Sequence, residues 1–166
     1  MDEDEDKVIN IETFNQILDL DEDDTHDFSF GMTEAYFTQA STTFTDMDKA
    51  LCAPLLFLLR VPFSRDSIVP GLATDASESK DLQKLSSLGH FLKGSSAALG
   101  VSAVQTTCEH IQHYGALRDE INDKPLTDEA ALAKIGPLLK RVKKEYAVAE
   151  KWLQNWYKEH ITPAED

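Results

Sequence analysis

One histidine in this chain stands in company that could do chemistry. It lies in the run Gly89-His90-Phe91-Leu92-Lys93-Gly94. On a helix, residues three and four apart share a face, so Lys93 and Gly94 would stand beside His90. That face would offer an imidazole, a cation one turn away and a bare stretch of backbone. A neutral imidazole can attack phosphorus at physiological pH, because imidazole titrates at about 6.5. The product is a phosphoramidate of high transfer potential. Its phosphoryl oxygens need a cation or hydrogen-bond donors nearby. A bulky phosphoryl donor needs room, which a glycine leaves. Two glycines inside a helix are expensive, roughly 1 kcal/mol each against alanine. Taken alone, the spacing also fits a plain surface histidine on a helix whose glycines allow close packing, and it leaves both readings open.

Other constellations are weaker. The sequence holds no nucleophile elbow, phosphate-binding loop or dinucleotide fingerprint. Glu109 with His113, or His110 with His113, has the spacing of metal ligands on one helix face. A metal-binding bundle would need inward carboxylates on other helices, and there the inner positions are apolar, so no metal is expected. Asp21–Asp24 has the acidity of a calcium loop without its central glycine or distal glutamate, and reads as a solvated turn. His26 and His160 fall in a turn and near a tail, where a solvated histidine is the ordinary case.

The elements that must position His90 are helices. Leu82, Leu85, Leu88, Leu92 and Leu99 make one stripe of a helix from about Asp81 to Leu99, with Gly100 as its cap. A short helix is expected over 11–20, capped by Asn10, with Ile11, Phe14, Ile17 and Leu18 on one side. A longer one follows over 28–51 with Asp27 as cap. Its stripe is Phe30, Phe37, Phe44 and Leu51, with Ala40 and Met47 at the offset. A fourth helix spans 102–121, with Val104, Cys108, Ile111 and Leu117 inside. Pro125 ends it, and a last helix runs from Thr127 or Asp128 to His160. Its inner positions include Leu132, Ile135, Leu138, Leu139, Val142, Tyr146, Ala149, Leu153 and Trp156, and Gly136-Pro137 can kink it. Lys140, Arg141, Lys143 and Lys144 form its exposed face. No stretch alternates as a strand does. Residues 52–80 fit least well: Pro54, Pro62, Pro70 and Gly71 break any long helix, yet Leu55-Leu56-Phe57-Leu58-Leu59 is strongly apolar. An insertion with one short helical or extended piece at 54–60 is expected. The sum is all-α: an antiparallel up-down four-helix bundle with a short extra N-terminal helix.

Length and charge agree with a single domain. The 166 residues, 42% of them hydrophobic, suffice for one core. Residues 1–7 read as an acidic disordered tail, and 8–162 as the domain. The net charge of −14 is uneven, because residues 1–34 carry thirteen carboxylates against Lys7 alone. Such a surface repels nucleic acid and anionic membranes, so neither is an expected partner. Cys52 and Cys108 make no disulfide framework. The acidic start does not read as a secretory or mitochondrial signal, and no apolar run approaches the ~20 residues of a membrane span. An intracellular soluble protein is expected.

The run from His90 through Gly100, His-Phe-Leu-Lys-Gly-Ser-Ser-Ala-Ala-Leu-Gly, closely resembles the signature of histidine-containing phosphotransfer (HPt) domains, in particular fungal members that serve osmosensing phosphorelays. Cys108-Glu109-His110-Ile111-Gln112 resembles the family's next helix, and Phe28-Ser29 through Thr42-Thr43-Phe44 the helix before the active one. The resemblance covers most of 8–50 and 82–122. It departs at 52–80, where relatives have a much shorter link and this chain carries roughly twenty more residues or above.

The resemblance implies roles. His90 accepts and donates the phosphoryl group, Lys93 steadies its charge, and Gln112 hydrogen-bonds near the imidazole. Gly94 leaves room for the incoming receiver, with Gly89 and Ser95 in support. Ile17, Phe28 and Met32 are nominated for receiver docking. The donor would be an aspartyl phosphate on the receiver domain of a hybrid sensor histidine kinase, and the acceptor an aspartate on response regulators. The protein would need no cofactor of its own, Mg²⁺ being expected on the receiver. It would be a monomeric carrier rather than a stand-alone kinase, in cytoplasm and nucleus. A different class also fits the same face: a non-catalytic helical adaptor that docks partners around His90.

Overall fold

The computed structural model describes residues 8–58, 75–119, 122 and 124–161. Five helices appear in it: α1 (Ile11–Leu18), α2 (Asp27–Leu58), α3 (Asp75–Ala98), α4 (Ser102–Gly115) and α5 (Asp128–His160). Between α4 and α5 lies a two-residue antiparallel pair, β1 (Arg118–Asp119) and β2 (Lys124–Pro125).

The side-chain contacts fix the helix directions. Along α2 and α5, Phe30 meets Tyr157, Phe44 meets Tyr146, and Asp48 meets Lys143, so one number rises as the other falls. The same inversion joins α3 to α4: Gly115 lies against Ser86, and Glu109 reaches Lys93. Tyr36 on α2 shares a hydrogen bond of 3.0 Å with Ser96 on α3. Thr107 on α4 donates one of 2.6 Å to Glu145 on α5. The helices thus pack in chain order around a closed ring, the antiparallel up-down bundle expected of the stripes.

The core runs down the centre. Leu82, Leu85, Leu92 and Leu99 from α3 meet Val104, Cys108 and Ile111 from α4, and Ile135, Leu139, Val142, Ala149 and Leu153 from α5. In α2 the buried line is Ser29, Thr33, Tyr36, Ala40, Thr43, Phe44, Met47 and Ala50; of the expected stripe only Phe44 is buried, whereas Phe30 is exposed and Phe37 and Leu51 are half-buried. The phenylalanine stripe therefore marks one flank of the buried face rather than its middle. The hydroxyls in the middle are satisfied inside: Thr33 Oγ1 lies at hydrogen-bond distance from both the Ser29 carbonyl (3.0 Å) and the Tyr157 hydroxyl (3.3 Å).

The helix ends correct several boundaries. Asn10 caps α1, its Oδ1 accepting from the Thr13 amide at 3.1 Å, and Thr127 caps α5. Asp27 does not cap α2 but is its first residue. Asp21 serves instead, accepting from the Ser29 amide at 2.8 Å through Oδ1 and sharing a 2.9 Å hydrogen bond with His26 Nδ1 through Oδ2. Pro54 does not stop α2, which continues to Leu58. A proline removes one helical hydrogen bond and kinks locally without forcing an end. Helix α4 stops at Gly115, not near 121, and Leu117 follows with a positive φ of 59° that turns the chain into the β1–β2 pair. The N-terminal tail expected over 1–7 and the centre of the expected insertion, 59–74, lie outside the described residues.

Helix α1 is an added strap. Phe14 sits edge-on to Trp152, Trp156 and Tyr157 of α5, with ring centroids 5.3, 5.1 and 6.0 Å away. The Asn10 amide donates to the Gly100 carbonyl, and the Ala103 amide to the Val8 carbonyl. Gly100 must be glycine here: its φ is +74°, and a Cβ would meet the Asn10 carbonyl oxygen at 2.7 Å.

Candidate phosphotransfer site

Buried leucines orient α3. With Leu85, Leu92 and Leu99 turned inward, His90, Phe91 and Gly94 face solvent and Lys93 is half-buried. The imidazole is thus presented on the flank of a rigid helix, accessible to a macromolecule. A Cβ placed on Gly94 would meet nothing within 4 Å, so the space beside His90 is open.

Gly89 serves the opposite purpose. A Cβ there would lie 2.9 Å from the Gln112 nitrogen and 3.0 Å from the Cys108 carbonyl oxygen. Helices α3 and α4 touch backbone to backbone at that point. Ser86 adds a hydrogen bond from Oγ to the Gln112 carbonyl at 2.8 Å. Gln112, drawn from the next helix, is therefore held beside the residue preceding His90. Its side-chain Oε1 is buried with no hydrogen-bond partner among the described residues. A buried acceptor left open costs about 1–3 kcal/mol, and an imidazole N–H is the kind of donor that would relieve it.

Lys93 is already engaged. Its Nζ donates to Glu109 Oε1 of α4 at 3.3 Å, in a pair whose side chains are 25% and 47% exposed. Ser95 contributes no donor to the exposed face; its hydroxyl turns back to the carbonyls of Leu92 (3.2 Å) and Phe91 (3.4 Å). Chemically, the face offers a nucleophile, a partly exposed cation and an open approach.

The docking nominations fare unequally. Ile17 is only 6% exposed and belongs to the core, because α1 lies with Phe14 and Ile17 against the bundle. Phe28 is 51% exposed at the start of α2, and Met32 is half-buried. Two residues beside the site escaped sequence reasoning. Phe91 is 49% exposed; its signal is an aromatic outside the leucine stripe. Glu109 carries none, since nothing local ties it to a lysine sixteen positions away.

An exposed histidine on one helix of an up-down bundle, with a lysine one turn on and an open glycine beside it, is an arrangement that could carry a phosphoryl group. The comparisons with known proteins agree. The model of the Hpt domain family matches residues 31–152, and the chain belongs to that family. It is 38% identical over 156 residues to multistep phosphorelay regulator 1 of Schizosaccharomyces pombe, a match covering 93% of this chain and 44% of that protein. It is 36% identical over 109 residues to the phosphorelay intermediate protein YPD1 of Saccharomyces cerevisiae, covering 66% of this chain and 50% of that protein. The chain thus spans about half the length of the curated relatives it matches. Among solved structures, the yeast phosphorelay protein YPD1 superposes with a TM-score of 0.66 at 25% identity, over 91% of this chain and 95% of that one. YPD1 in a co-crystal with the receiver domain of its downstream response regulator Ssk1 gives 0.64 at 26%, with the same coverage.

Proposed function

We propose that this protein is a phosphorelay intermediate whose His90 receives a phosphoryl group from an aspartyl phosphate on one receiver domain and delivers it to an aspartate on another. The observation that carries the reading is the exposed His90 with open space over Gly94 and a cation one turn away. A relative of the same fold is named as a complex with a receiver domain, which supports receivers as partners here.

The step balances without an added reactant. The lone-pair nitrogen of neutral His90 forms the N–P bond. The P–O bond to the aspartyl carboxyl breaks, and its electron pair leaves with the carboxylate. The ring keeps its other proton, so the product is a phosphorylated imidazolium beside the Lys93 ammonium. The reverse set of bonds delivers the group onward. Mg²⁺ belongs to the receiver, where the aspartyl phosphate needs it. The donor is read as a hybrid histidine kinase, the acceptors as response regulators of osmosensing type, and the carrier as a monomer of cytoplasm and nucleus. A fluorescent fusion and size-exclusion chromatography test the last two.

A mixture of the protein with a phosphorylated receiver domain tests the centre of the proposal. Acid-labile, alkali-stable label is expected on the wild-type chain and lost in His90→Gln. Retention of label in His90→Gln, with loss in His110→Gln or His113→Gln, would overturn it. Receiver binding without any label would favour the adaptor.

A further inference from the structure

The Lys93–Glu109 pair has a meaning beyond local stability. Lys93 is the cation closest along the helix face to His90, and the unphosphorylated protein holds it on a carboxylate of the next helix at 3.3 Å. The backbones under both residues are fixed relative to each other. Gly89 abuts Cys108 and Gln112, and Ser86 bonds to the Gln112 carbonyl. An exchange of partners by Lys93 needs only side-chain movement. The pair is partly exposed, as an exchangeable ion pair must be.

We propose that Glu109 is a positioning residue that competes with the phosphoryl group for Lys93. This inference rests on the phosphorelay reading of the same site. Without phosphate, the ammonium rests on Glu109. A phosphoryl group on His90 brings greater charge and three acceptor oxygens, and Lys93 exchanges partners. Each phosphorylation then breaks the Lys93–Glu109 pair, and each delivery restores it. Glu109 thereby lowers the stability of phosphohistidine and favours onward transfer. Its free carboxylate in the phosphorylated state acts in the same direction by repulsion, an effect that does not pass through Lys93.

The equilibrium of phosphoryl exchange between the full chain and a receiver domain tests this. The starting phosphohistidine is made with phosphoramidate, a small donor that requires no partner. Glu109→Gln is expected to shift the equilibrium toward phosphohistidine by about two- to fivefold, the range of a partly exposed ion pair. Glu109→Asp should restore most of the wild-type value. In a Lys93→Gln background the shift should largely disappear, and high salt should shrink it in the wild-type background. An unchanged equilibrium in Glu109→Gln, or an undiminished shift without Lys93, would overturn the proposal while leaving His90 as the carrier. Absence of label on His90 in the wild-type chain would instead remove the phosphorelay reading, and this inference with it.

Discussion

Gly89 lies so close to Gln112 that a Cβ on it would stand 2.9 Å from the Gln112 backbone nitrogen. Five residues on, Gly94 faces open space. The two glycines of α3 therefore answer to opposite constraints, one to packing and one to access. Gly89→Ala should destabilise the protein, because α3 and α4 must separate at a backbone contact; about 1–3 kcal/mol is expected, offset in part by the better helix propensity of alanine. Gly94→Ala should do the reverse, raising stability by up to about 1 kcal/mol while slowing transfer from a receiver domain. Urea denaturation beside a transfer assay separates the two. Equal stability effects at both positions would contradict the division.

Lys93 should matter to rate and not to fold. Its partner Glu109 is nearly half exposed, so loss of the pair removes about 0–1 kcal/mol. Loss of the cation facing the phosphoryl group removes a charge-assisted hydrogen bond, which corresponds to about a tenfold slower transfer. Stopped-flow or quenched-flow transfer to Lys93→Ala measures it. Unaltered rates would take Lys93 out of the mechanism.

The parts of this structure that follow a local period were legible in the sequence, and those that depend on contact across the bundle were not. Leu82, Leu85, Leu92 and Leu99 announce a buried stripe, and His90, Lys93 and Gly94 fall at helical spacing opposite it. Ser29, Thr33 and Tyr36 hid in the core because their polarity reads as surface, and only their partners Tyr157 and Ser96 explain their burial. Asp27 reads as the cap of α2 in the sequence because the true acceptor, Asp21, sits eight residues before the amide that it serves. The β1–β2 pair is two residues long on each side, too short for any alternation to register. Ile17 and Ile11 look alike in sequence, and only the seating of α1 decides which is hidden.

Asp21 joins the start of α2 to the turn before it, and this contact has a pH signature. Burial by itself would raise its pKa, but the hydrogen bonds from Ser29 and then from His26 outweigh it and hold the carboxyl below its usual value. A depressed carboxylate stabilises the fold fully above the unfolded-state value, about 3.9, and the contribution is lost as pH falls through the folded value. Asp21→Ala should therefore cost about 1 kcal/mol at pH 7, the scale of a lost N-terminal cap. The gap between variant and wild type should narrow below pH 4. Thermal unfolding followed across pH 2–7 shows this, and a gap independent of pH would mean that the carboxylate charge plays no part.

Cys108 should be chemically silent in the native state. It is fully buried in the core, and burial, aided by the nearby Glu145 charge, pushes its thiol up to about 12. The thiolate is the reactive form, and at neutral pH almost none exists there. The chain has one other cysteine, Cys52, so the measurement uses Cys52→Ser. Iodoacetamide at pH 7.5 should leave that variant unmodified when native and label it in urea. The rate of native labelling then reports opening of the bundle rather than thiol chemistry. It should accelerate in Gly89→Ala, where the α3–α4 contact beside Cys108 is forced apart, and stay unchanged or slow in Gly94→Ala. Rapid native labelling of the Cys52→Ser protein would mean that the α3–α4 seam under His90 is looser than its backbone contacts imply.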